Sequence, residues 1–177
     1  MKKFIALLSV CVLMCSTTAF AASSPTAKGF SNSHDSKVAA SRGMSSKEYY
    51  NNTVETTPGV KDAMPVGQGG KIIINGVTTN LTASLSKASD TEVKGAYAQA
   101  AALSGSLLNV VKVEFPGANY ETATINFYLP GLADGKKVVV KQLLNGEWTD
   151  VEVLEVRLDH VVLNLKNAGP IAFVEVQ

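Results

Sequence analysis

A run of acids and two histidines are the residues of this 177-residue chain whose types could carry chemistry. Glu147, Asp150, Glu152 and Glu155 crowd one short stretch. Two carboxyl groups held at a set separation can cleave a glycosidic bond, so this arm is the one place where a small glycan-acting hydrolase could be built. The plainer reading is a charged edge strand that resists pairing with other chains, and it is the stronger of the two. His160 follows Asp159, but no second histidine or thiol from the C-terminal half can join it, so a zinc site there would have only carboxylates to add. A Ser-His-Asp hydrolase would have to use His160, and no G-x-S-x-G elbow is present. Ser104-Gly105-Ser106 is better explained as a helix end. His34 lies in a polar linker sequence. Gly67 to Gly70 lacks the Lys-Ser/Thr and helix of a phosphate loop. Asp134 or Asp159 could touch a calcium ion in a turn, but no EF-hand spacing surrounds them. No catalytic residue, metal site or cofactor is therefore assigned.

Aromatic side chains offer the best non-catalytic signal. Tyr128 has opposite strand parity to Ile125 and Phe127, and Trp148, the only tryptophan, has opposite parity to Val151 and Val153. With Tyr120 they could form a flat platform for a sugar ring or a partner side chain. The alternative, which large aromatics favour, is that Trp148 is core and Tyr128 packs under a helix or a second sheet.

These residues are carried by strands. Val111, Val113 and Phe115 alternate with Lys112 and Glu114, the period of a half-buried strand. Ala123, Ile125, Phe127 and Leu129 alternate with polar residues and Tyr128 even more cleanly. Pro116-Gly117, Pro130-Gly131 and Asp134-Gly135 punctuate the runs. Val138, Val140 and Leu144 lead into Asn145-Gly146, a strong tight-hairpin signal. The next arm slips phase between Val153 and Leu154, which predicts a bulge or break. Asp159-His160 read as a turn before Val161, Leu163 and Leu165, and Ile171 to Val176 form the last strand. Upstream, Asn75-Gly76 sits between Ile72/Ile74 and Val77/Thr79/Leu81 as a second hairpin. Ser89 and Glu92 have capping-box spacing, and Val93, Ala96, Tyr97, Ala100 and Leu103 form one apolar helical face ending near Gly105. The expected architecture is α+β and mainly β: an antiparallel β-sandwich-like domain over residues 71–177 with one helix packed on it, preceded by a flexible tether.

Residues 1–21 read as a secretory signal peptide, with Lys2 and Lys3, an apolar run from Phe4 to Met14, and Ala19-Phe20-Ala21 as the cleavage site. Acylation at Cys15 is the weaker alternative, because the bulky Met14 sits where a lipoprotein signal needs a small residue. Cleavage after Ala21 removes both cysteines and so excludes thiol chemistry and disulfides. Residues 22–70 are rich in Ser, Thr, Asn and Gly and poor in large aliphatics, the composition of a flexible tether. Loss of Lys2 and Lys3 from the 16 basic residues leaves them fewer than the 15 acidic ones. No basic stripe remains to neutralise phosphates, so a nucleic-acid partner is not expected, and no second long apolar run suggests a transmembrane segment.

The run INFYLPGLADGKKVVVKQLLNGEWTDVEV, with GPIAFVEV at the end, resembles β-rich modules in secreted or surface proteins of Gram-positive, clostridia-like bacteria. The resemblance covers under half of the chain and consists of turn and core residues, so it implies a fold and carries over no catalytic residue. The functional expectation is a secreted or envelope-associated, non-enzymatic domain that interacts with a protein or with cell-wall polysaccharide. A glycan-acting hydrolase and a self-assembling surface subunit are the alternatives.

Overall fold

The computed structural model describes residues 52–177, together with Lys37, Ala39, Ala40 and Ser45. The expected signal peptide, Cys15, His34 and most of the expected tether lie outside the described residues.

Among the described residues, twelve strands form two antiparallel sheets. The first sheet has the order β1(Thr53–Val54)-β2(Val66–Gln68)-β7(Ala123–Tyr128)-β11(His160–Leu165)-β10(Glu152–Arg157). The hairpin β3(Ile73–Ile74)–β4(Val77–Thr78) joins it by pairing β3 with β7: β2 takes the Phe127–Tyr128 end of that strand and β3 the Ala123–Thr124 end. The second sheet has the order β5(Ser84–Lys87)-β6(Ser106–Glu114)-β12(Gly169–Val176)-β8(Lys137–Leu144)-β9(Glu147–Asp150). Both Asn-Gly hairpins form as the sequence predicts, with Asn75, Gly76, Asn145 and Gly146 all at positive φ, the backbone of a type I′ turn.

The period-2 residues make the core. Ala123, Ile125 and Phe127 of β7 and Val161, Leu163 and Leu165 of β11 face Val111 and Val113 of β6, Ile171 and Phe173 of β12 and Val140 of β8, all buried in one cluster. Phe127 and Phe173 meet edge to face across the layer, centroids 5.3 Å apart. The helix α1(Asp90–Ala102) covers the other face of the second sheet: Val93, Ala96 and Ala100 pack on Val110, Ala172 and Val174. Strand β12 is thus buried on both faces from Ile171 to Val174, which is why its sequence is a continuous apolar run. No helix among the described residues is long and apolar enough to cross a membrane.

The capping box is complete. Glu92 N–H donates to Ser89 Oγ at 3.5 Å, and Ser89 N–H donates back to Glu92 Oε2 at 2.6 Å. Lys112 of β6 adds an ion pair to Glu92 at 3.2 Å. Partial burial pushes the Glu92 carboxyl up, but the Ser89 bonds and the Lys112 ammonium outweigh it and hold the group below its ordinary value of 4.5. A depressed folded value stabilises the fold above the unfolded pKa, and that contribution is lost as pH falls through the folded one. Glu92→Gln is therefore expected to cost about 0.5–1 kcal/mol at neutral pH. In melting curves taken from pH 7 down to 3, the gap from wild type should close at the acid end. A gap that persists there would remove the ionised carboxylate from the explanation.

Three expectations need correction. The folded unit does not begin at residue 71: residues 52–70, placed in the tether by composition, belong to the sandwich, with Val54 and Val66 fully buried. Their strands are too short to show a period, and side chains do the tying. Asn52 Nδ2 donates to Gln68 Oε1 at 2.9 Å, the same oxygen accepts from Ala83 N–H at 2.8 Å, and Thr57 Oγ1 donates to Val110 O at 2.8 Å. Strand β5 replaces the simple passage expected from hairpin to helix, with Leu85 as its one fully buried residue. His160 is not a turn residue but opens β11, paired with Arg157 and Tyr128. The turn is Leu158-Asp159, with Asp159 at positive φ. The expected phase slip is a bulge between Val153 and Glu155, where it was predicted; separately, the arm changes sheet at Val151.

Candidate binding cleft

That change of sheet builds a concave polar site beside the acidic arm. β9 ends at Asp150 in the second sheet, β10 starts at Glu152 in the first, and Val151 N–H donates to Val140 O at 2.9 Å to hold the corner. A cleft of about 290 Å³ opens there. Its lining is Gln142, Leu144, Thr149, Asp150, Val151, Glu152, Asn164, Lys166 and Asn167. Only two of these are apolar.

Register places the polar groups. Lys141 lies opposite Asp150 in the β8–β9 ladder and pairs with it at 2.7 Å. Glu152 lies opposite Asn164 in the β10–β11 ladder and accepts from its Nδ2 at 2.9 Å. Gln142, only 3% exposed, donates from Nε2 to Asn167 O at 2.9 Å and so fixes the connection from β11 to β12. Asn164 Oδ1 is buried with no donor. Gln142, Asn164, Asp150 and Glu152 are thus each held in place by a neighbouring residue.

The corner divides the acidic arm. Asp150 and Glu152 reach the cleft, each bound to a protein partner. Glu147 stays at the Asn145-Gly146 turn opposite Leu144, and Glu155 pairs with Arg157 at 3.2 Å on β10. Among the described residues no group of three His, Cys, Asp or Glu side chains converges as a metal site. His160 Nδ1 lies 3.0 Å from Leu158 O. A carbonyl only accepts, so that nitrogen carries the proton.

The structure does not bring Trp148, Tyr128 and Tyr120 together. Trp148 is half-buried on the outer face of the second sheet, in the cluster beneath α1. Its indole fills the space beside Gly95, where an added Cβ would stand 2.6 Å from Nε1. Tyr128 is on the first sheet, its ring tilted against His160 at 5.3 Å. Tyr120 packs edge-on against Phe115 at 5.1 Å. Its hydroxyl is buried without a partner, and burial raises its pKa. No single platform exists.

Sequence reasoning passed over the amides. A signal for one of them was present: Gln142 continues the inward parity of Val138 and Val140, so an uncharged polar group stands where the alternation calls for an apolar one. Asn164 and Asn167 carry no such mark, because they are ordinary polar residues of an outward face and a turn. No family, curated protein or solved structure matches the chain.

Proposed function

We propose that this chain is an exported, non-enzymatic interaction domain that takes a segment of cell-wall glycan in the corner cleft. The lining carries the proposal. Three carboxamides, two carboxylates, an ammonium and a hydroxyl surround a space near the lower bound of about 300 Å³ for ligand pockets. Planar amides and carboxylates accept and donate at the spacing of neighbouring hydroxyls, whereas an apolar ligand would find only Leu144 and Val151. The acids disfavour a nucleic-acid backbone. Export rests on the signal-peptide pattern of residues 1–21. The binding reading is preferred to hydrolysis because Asp150 and Glu152 are both engaged by side chains whose removal would free them, the reverse of a poised acid and base.

The test is retention of the purified protein on insoluble cell-wall polysaccharide. Saturable retention should weaken at least about tenfold in Asp150→Asn or Lys166→Ala, the loss expected of one charge-assisted hydrogen bond. Trp148→Phe, under the helix, should retain as wild type. Absence of retention, or retention indifferent to both cleft variants, would sink the proposal. Release of new reducing ends would move the assignment to a glycoside hydrolase.

A further inference from the structure

Strand β10 is an edge. It pairs with β11 on one side, and among the described residues no strand lies on the other. An open edge invites another strand, and proteins blunt it with charged side chains or with a bulge; charge repels a second copy only where like signs face one another. β10 does neither completely. Its bulge sits near the start, between Val153 and Glu155, so that Glu155, Val156 and Arg157 follow in regular register. Its charges have both signs. It also carries Leu154 and bounds Leu158, 50% and 59% exposed, two of the four large exposed hydrophobic residues described.

These features are self-complementary about one point. When two copies of β10 run antiparallel with a twofold axis at Val156, Glu155 of each lies opposite Arg157 of the other. Leu154, the bulged residue, and Leu158, in the turn, flank this short ladder on either side. Directly opposed residues in an antiparallel pair point to the same face, and Glu155 and Arg157 do share a face, opposite Val162 and His160 of β11. They already form an ion pair within the strand at 3.2 Å, so pairing would close two such pairs into an alternating ring of four charges. Moving the axis by one residue toward either end sets Glu155 against Glu155 or Arg157 against Arg157. Like charge therefore disfavours both neighbouring registers. A closed twofold contact also uses up the edge, as an open-ended one would not.

We propose that β10 is the contact through which two copies of this chain pair about a twofold axis at Val156, making one continuous sheet from their two first sheets. This does not depend on what the cleft binds.

Sedimentation of the protein, purified as the cell processes it, tests this across a concentration series. Wild type should show a monomer–dimer equilibrium. Glu155→Lys and Arg157→Glu each place like charges opposite one another twice per dimer, and each should weaken association at least about tenfold. An equimolar mixture of the two variants should associate again, as a heterodimer, because every introduced charge then faces one of opposite sign. Circular dichroism melts matching wild type would show that both variants fold. A wild type that remains monomeric throughout, a dimer unmoved by either variant, or a mixture no better than its components would each overturn the assignment.

Discussion

Phe173→Ala is expected to cost about 3–5 kcal/mol of folding stability, the range for deleting a fully buried aromatic ring. Phe173 is 0% exposed and sits on the central strand of the second sheet, flanked by Asn109 and Val140 in register. Its ring lies edge to face on Phe127 of the first sheet, so it is a principal contact between the two layers. The strands that hold it are hydrogen-bonded on both sides, which limits collapse into the cavity and puts the cost toward the upper end. Against the lower end of the typical domain stability of about 5–15 kcal/mol, this single change would leave a large unfolded fraction at physiological temperature. Urea titration should show a lower midpoint with an unchanged slope, since the surface exposed on unfolding is nearly the same. A double-mutant cycle with Phe127→Ala should give a coupling of about 0.5–1.5 kcal/mol. A cost below about 1.5 kcal/mol would mean that the layers are held together elsewhere.

That ring could be placed in the core from sequence because its strand is an unbroken apolar run, and β7 announced its inner face by alternation. Where burial was concentrated in long periodic segments, or a turn had its own chemistry as at Asn145-Gly146, the fold was legible. Strands β1, β2 and β5 were not. Each has two to four residues and is fixed by distant partners, such as Leu85 N–H reaching Asn52 Oδ1. Composition therefore assigned residues 52–70 to a tether. The cleft was half legible. Asp150 and Glu152 stood out as acids, but that they meet Gln142 and Asn167 follows from the change of sheet at Val151, which no local pattern marks. Trp148 shows the same limit: parity said that it turned away from Val151 and Val153, and only the helix across the sheet decides what covers it.

Gly105 is the case in which a correct boundary had a different cause, and Gly105→Ala is expected to cost about 2–3 kcal/mol through overpacking. Glycine after a helix usually supplies the left-handed residue that closes it. Here Ser104 does so, at φ 51. Its N–H donates to Ala101 O at 3.0 Å, and Gly105 N–H donates to Ala100 O at 2.9 Å, the two bonds of a Schellman motif. Gly105 does not need positive φ; it needs the absence of a side chain. A Cβ there would lie 2.5 Å from Glu175 O and 2.7 Å from Val174 Cγ1. The carbonyl belongs to the β12 backbone, paired at Glu175 with Ser106, and cannot rotate aside as a side-chain tip could. Either β6 parts from β12 at its first pair or the end of α1 lifts from the sheet, and both lose contacts in the layer beneath the helix. Ser104→Gly should act in the opposite sense, stabilising by about 0.5–1 kcal/mol because it relieves the left-handed backbone. Thermal or urea melts of the two variants separate the explanations. If close approach were not the cause, Gly105→Ala would cost no more than about 1 kcal/mol. If close approach is the cause, the two adjacent substitutions shift stability in opposite directions, with the loss at residue 105 the larger.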